Sequence, residues 1–219
     1  MSTMLQQLIL FTRYPTPGQA KTRLIPALGP QGAADLHRFL TEHTLRQVQA
    51  LQQTTPITLN VYFDGPSLSS MQDWLGPDIS YYPQGPGDLG ERMGQAFQAA
   101  FEAGAHHVVI IGTDCPGLTT ELLQQAFQYL SDCDVVLGPA EDGGYYLLGL
   151  GQLIPELFRD IAWGSHLVYQ QTCEKIVQKA WGYTTLPCLV DIDRPEDLIH
   201  VPPGVWGTQH DMMGGPEQG

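Results

Sequence analysis

The stretch FTRYPTPGQAKTRL, Phe11 to Leu24, gathers three cations, Arg13, Lys21 and Arg23, behind a short apolar run. Arginine supplies a planar fork of donors and lysine a compact charge, a combination suited to a phosphate or diphosphate. Pro15, Pro17 and Gly18 pre-bend the loop, so backbone can approach a ligand closely and Lys21 and Arg23 are aimed with little entropy left to lose. The loop is not a Walker A motif, because GxxxxGK[ST] is absent. A solvated turn with surface cations is the other reading. Charge distribution favours the phosphate: residues 1–46 hold five of the chain's ten Lys and Arg against Asp35 and Glu42, giving +3 there and −16 in the remainder of a chain of net charge −13.

Three acidic loops could complete a site. In VVIIGTDCPGL the β-branched run Val108–Ile111 reads as a buried parallel strand that delivers Asp114 at its carboxyl end. There a carboxylate suits Mg²⁺ or Mn²⁺, hard cations commonly shared with substrate phosphates. The alternative is an Asp capping the next helix, but Thr119 or Thr120 can take that role. In GPAEDGGYYLLGL, Glu141 and Asp142 precede a Gly143-Gly144 hairpin turn, and one of the two acids could orient or deprotonate an acceptor hydroxyl. In LVDIDRPEDL, Asp191 and Asp193 alternate about Ile192, so an extended segment places both carboxylates on one face. Asp193 before Arg194-Pro195-Glu196 also has the form of a helix N-cap.

The elements that must position these loops alternate in type. Strands are expected near 5–12, 57–63, 79–82, 107–112, 133–138, 144–150 and 183–187, with helices over 31–53, 67–75, 88–103, 119–130 and 165–180. This is an α/β pattern built on a mainly parallel sheet, in which ligands bind beyond the carboxyl ends of the strands. Residues 1–200 read as one domain and 201–219 as a Pro/Gly-rich tail that Trp206 could anchor.

Composition narrows the partners. With 42% hydrophobic and 15% charged residues the chain reads as globular. Its acidity argues against DNA and RNA, whose backbones demand clustered Lys and Arg. No apolar run has the length to span a bilayer and no signal peptide is visible, so a cytoplasmic location is expected. Cys115, Cys133, Cys173 and Cys188 form no CxxC pair and read as free thiols; His106 and His107, beside a strand, read as structural or solvent-facing.

FTRYPTPGQAKTRL, GDLGERM, GTDCPGL, PAEDGGYYLLGL and DIDRPEDL, taken in this order, resemble the rSAM/selenodomain-associated transferases, small bacterial glycosyltransferase-like proteins. The likeness spans residues 5 to about 200 and extends to 2-phospho-lactate guanylyltransferase and, more distantly, to cytidylyltransferases. It implies a single-domain GT-A-like, nucleotide-diphospho-sugar transferase fold: a three-layer sandwich on a mainly parallel sheet. It also implies that Arg13, Lys21 and Arg23 lie in a nucleotide phosphate loop and that Asp114 holds a metal, Mg²⁺ or Mn²⁺. A single Asp stands where glycosyltransferases carry a DxD pair, and Asp193 is the candidate second ligand. Gly87, Asp88 and Arg92 would lie beside the nucleotide, with an N-cap at Asp88 as the alternative. Trp163, in IAWGSH, and Asp191 would lie on the acceptor side, Trp163 being equally readable as a packed aromatic. Three functions are compatible: a metal-dependent glycosyltransferase using a nucleotide-activated sugar; a nucleotidyltransferase in which Lys21 and Arg23 stabilise charge at the α-phosphate and leaving pyrophosphate; and a nucleotide-binding protein without turnover.

Overall fold

The computed structural model describes residues 5–201, so the tail and Trp206 lie outside the described residues. Seven strands form one sheet: β1 Gln6–Arg13, β2 Ile57–Asp64, β3 Ser80–Pro83, β4 His107–Ile111, β5 Val135–Pro139, β6 Tyr145–Leu150 and β7 Tyr183–Thr185. Their spatial order is β3-β2-β1-β4-β6-β5-β7. All neighbours run parallel except β6, which is antiparallel to both β4 and β5. The antiparallel strand follows from the DGG turn, which returns the chain directly beside β5 where a parallel neighbour would need a crossover helix.

Among the described residues five α-helices cover the faces: α1 Ile25–Gln52, α2 Leu68–Leu75, α3 Leu89–Glu102, α4 Thr120–Tyr129 and α5 Val168–Gln178. Every expected strand and helix is present. The first helical segment begins earlier than the expected residue 31, with one short turn before a kink at Gly29 (φ 69°). Pro30 then opens the long run, as a proline in a first turn can.

Side-chain alternation divides the core. Leu8, Leu10, Val109 and Ile111 face one layer with α1 and α4. Ile9, Phe11, Val108 and Ile110 face the other, against Met93, Ala96 and Phe97 of α3 and Ile176 of α5. Central parallel strands are covered on both faces, which is why β1 and β4 read as unbroken apolar runs. A third cluster of Leu24, Ala33, Leu36, Leu40 and Ile192 ties the loop after β1, helix α1 and the 190s segment together. That small core sets the distance between the cationic loop and the last acidic loop.

Candidate active site

The carboxyl edge of β4, the β5–β6 turn, the segment before α5 and residues 190–197 enclose a cleft of about 710 Å³. Arg23, Asp114, Glu141, Asp142, Asp191 and Asp193 all face it. Six of the residues expected at the site, drawn from four separate loops, therefore meet in one place. Trp163 and Tyr145 form its aromatic side, their rings edge-to-face at 6.4 Å. The indole lies directly on Gly90 in the first turn of α3, where a Cβ would come within 2.3 Å of its Nε1. Trp163 is thus both packed and part of the wall.

The cationic loop is bonded internally. Arg13 pairs with Asp64 across the β1–β2 register at 3.1 Å, and its Nη1 donates to the Gln19 carbonyl at 3.1 Å. Gly18 turns the loop with φ 81°. Lys21 takes left-handed backbone angles (φ 48°) that side-chain-bearing residues seldom adopt. Its amine compensates: Nζ lies 2.7 Å from Asp114 Oδ1 and donates to the Ile192 carbonyl at 2.6 Å, with the side chain only 4% exposed. The expected open cation is therefore a buried strut between three loops. Arg23, by contrast, is 64% exposed and pairs with Asp193. Sequence could not separate the two, since both follow the same turn.

Electrostatics reflect this pairing. Burial alone would raise the Asp114 carboxyl, but Lys21, His37 and Arg13 outweigh it and hold Asp114 below the ordinary carboxylate range. Asp191 has no ion-pair partner among the described residues; burial, then repulsion from Asp142, pushes it up to about 6. Burial also pushes the Cys115 thiol up, so it is a poor nucleophile at neutral pH.

One expected capping role changes hands, and at Asp88 the capping alternative is realised. The cap of the turn Pro195–His200 is not Asp193: Asp197 accepts from the backbone N–H of Asp193 and Arg194 at 3.0 and 2.6 Å, which leaves the Asp193 carboxylate free for Arg23. Asp88 is a cap, in a reciprocal box with Glu91 at 2.9 Å in each direction, so its carboxylate is committed to the start of α3 and Gly87 packs against Glu91. Asp114 does not cap α4; Thr119 does.

Arg92 lies in a neighbouring cleft of about 590 Å³ at the ends of β2 and β3, with Asp64, Pro66, Tyr81 and Gln84. Gln84 fixes it there: the carboxamide accepts from Arg92 at 2.8 Å and donates to the carbonyls of Thr12 and Tyr62 at 3.0 and 3.2 Å. Gln84 and His37, whose Nε2 meets the Arg13 carbonyl at 2.9 Å, escaped sequence reasoning because each acts on backbone far away in the chain. No helix among the described residues is long and apolar enough to cross a membrane.

The open sheet with one reversed strand, and a cleft at its carboxyl edge shared by a cationic loop and carboxylates, define a transferase of the nucleotide-diphospho-sugar transferase superfamily. Within it the chain belongs to the DUF2064 family, described as uncharacterized protein conserved in bacteria, whose model matches residues 45–165. A protein from Desulfovibrio desulfuricans G20, named as a nucleotide-diphospho-sugar transferase, superposes with a TM-score of 0.83 at 35% identity, over 90% of this chain and 85% of its own. Phosphoenolpyruvate guanylyltransferase of Chloroflexus aurantiacus is 26% identical over 182 residues, 82% of this chain and 86% of the relative. Glucosyl-3-phosphoglycerate synthase from Mycobacterium tuberculosis, solved with Mn²⁺ and UDP, shares the fold at 10% identity and a TM-score of 0.56, over 91% of this chain and 76% of its own.

Proposed function

We propose that the protein transfers a sugar from a nucleotide-activated donor to a small hydroxyl-bearing acceptor, assisted by Mg²⁺ or Mn²⁺. The observation that carries this reading is one cleft uniting an exposed arginine, carboxylates from three loops and an aromatic wall. Arg23 binds the diphosphate through charge-assisted hydrogen bonds. Arg13, Gly18 and Lys21 hold the loop that presents it, and Lys21 adds positive potential from behind. The nucleoside extends towards Arg92, in the cleft at the ends of β2 and β3, past the first turn of α3 at Gly87 and Asp88. Trp163 and Tyr145 offer aromatic faces to the sugar ring. Glu141 or Asp142 accepts the proton of the incoming hydroxyl; Asp191, shifted up to about 6, is placed to share that work.

The donor set suits a divalent ion. Asp114 and Asp193 are hard oxygen donors facing one cleft, and Glu141, Asp142 and Asp191 add further carboxylates to its lining. Among the described residues no three His, Cys, Asp or Glu are gathered as a closed metal site. An ion held by one or two carboxylates and completed by substrate phosphate and water fits that arrangement. Bound between Asp114 and Asp193, it would neutralise charge developing on the leaving diphosphate.

A second reading, nucleotidyl transfer, is favoured by the guanylyltransferase among the relatives. An acceptor phosphate would then attack the α-phosphate of an NTP beside Arg23 and release pyrophosphate. Incubation with NTPs and common nucleotide sugars, with and without Mn²⁺, separates the two. Nucleoside diphosphate as product supports glycosyl transfer, pyrophosphate supports nucleotidyl transfer, and turnover unaffected by EDTA removes the metal.

A further inference from the structure

We infer that Arg23 is shared between two anions, Asp193 and the substrate phosphate, and that a divalent ion binding at Asp193 hands it from the first to the second. This rests on the metal reading above and adds to it an order of events and a residue. The loop brings two cations to the acidic segment, and their attachments differ. Lys21 is 4% exposed and bridges two acceptors, Asp114 and the Ile192 carbonyl, so it cannot reach a ligand without breaking the joint between three loops. Arg23 is 64% exposed, and among the described residues its side chain pairs with the Asp193 carboxylate alone.

The backbones on both sides of the Arg23–Asp193 pair are held independently of it. Leu24, next to Arg23, is fully buried against Ile192, and the Asp193 N–H is bonded to Asp197. Breaking the pair therefore moves side chains alone. With Arg23 64% and Asp193 29% exposed, the pair stays in reach of solvent and can be displaced by a competing charge. A cation at Asp193 neutralises the carboxylate and repels the guanidinium, whose remaining donors then face the cleft where the phosphate must lie. Without the ion, a phosphate has to compete with Asp193 for Arg23 amid Glu141 and Asp191, which have no ion-pair partner among the described residues.

The exchange has an unusual sign. Without nucleotide, Arg23 opposes the metal, so Arg23→Gln should bind Mn²⁺ more tightly than the wild type, by about three- to tenfold. With a nucleoside diphosphate present the same variant should lose most of the mutual tightening between metal and nucleotide, a coupling that must be equal in both directions. A purely structural arginine would weaken both ligands, and a residue that only binds phosphate would leave Mn²⁺ affinity unaltered.

The test is titration of the full chain with Mn²⁺, free ion being followed by electron paramagnetic resonance, with and without UDP or GDP. Wild type, Arg23→Gln, Arg23→Lys and Asp193→Asn are compared after circular dichroism has established that each is folded. Tighter Mn²⁺ binding by Arg23→Gln without nucleotide, wild-type-like binding by Arg23→Lys and weakened binding by Asp193→Asn support the exchange. Mn²⁺ binding by the wild type with no gain in Arg23→Gln overturns the exchange but leaves the metal reading standing. No Mn²⁺ binding by the wild type, even with UDP or GDP present, overturns the metal reading and the exchange with it.

Discussion

Asp114 and Asp191 occupy the same cleft but carry opposite electrostatic histories. Asp114 is the partner of a buried lysine, so Asp114→Asn leaves Lys21 with only a carbonyl for its charge. We expect a loss of about 2–3 kcal/mol, measured by urea denaturation, toward the low side for a broken buried pair because Asp114 is half-exposed. Asp191 behaves in the other direction. Its folded pKa, about 6, lies above that of an ordinary aspartate, so the folded state holds the proton more tightly than the unfolded state does. Its contribution to stability is complete below about pH 4 and is lost as pH rises through about 6. Asp191→Asn should therefore raise the melting temperature at pH 7, with wild type and variant converging near pH 4. A variant that melts lower than wild type at pH 7 would mean that Asp191 has a stabilising partner.

At the level of elements, each functional loop is fixed by a contact distant in sequence. The turn carrying Glu141 and Asp142 is clamped by the segment before α5. Gly143, at φ 88°, lies so near that an added Cβ would meet the His166 carbonyl oxygen at 2.1 Å, and its own carbonyl accepts from Tyr169 N–H at 2.9 Å. Gly143→Ala combines an unfavourable backbone region with a clash against backbone, which side-chain rotation cannot relieve. A cost of about 2–4 kcal/mol is expected, together with loss of turnover from displacement of Asp142. Thermal denaturation and product formation check the two effects separately; an unchanged melting temperature would show that the turn can move away from His166. Ile192 is the corresponding peg for the 190s segment, fully buried against α1 and Leu24. Ile192→Ala should cost about 2–4 kcal/mol and loosen Lys21 and Arg23 together.

For the molecule as a whole, the charge map leads us to expect that ligand and metal depend on one another. A nucleoside diphosphate approaching a chain of net charge −13 meets cations at one end of the fold and carboxylates at the other side of the same cleft. Binding to the folded state alone stabilises it by about 2.7 kcal/mol at a hundredfold excess over Kd, which corresponds to roughly 5–10 °C in melting temperature for a domain of this size. We expect that shift with Mn²⁺ present and a clearly smaller one in EDTA. Equal shifts in both would remove the metal from nucleotide binding.

The order and type of the elements are legible in the amino-acid pattern alone, because alternation and helical period are local consequences of which faces are buried. Leu8–Phe11 and Val108–Ile111 announce central strands by being apolar on both faces, and Thr119 and Asp88 announce helix starts by offering side-chain oxygens to nearby N–H groups. The same pattern also marks the loops that meet, since polar and glycine-rich departures from those periods fall at the carboxyl ends of strands. Which group pairs with which, by contrast, emerges from the packed chain. Lys21 and Arg23 follow one turn with similar chemistry, yet one is a buried strut on Asp114 and the other an exposed partner of Asp193. Asp193 yields its capping role to Asp197, and Arg92 turns towards a second cleft through Gln84. Burial and ion pairing here depend on distances between residues far apart in the chain, 170 positions for Arg23 and Asp193, and those distances are set by the packing of Ile192 and Leu24 on α1 and by the sheet order, neither of which a local pattern encodes.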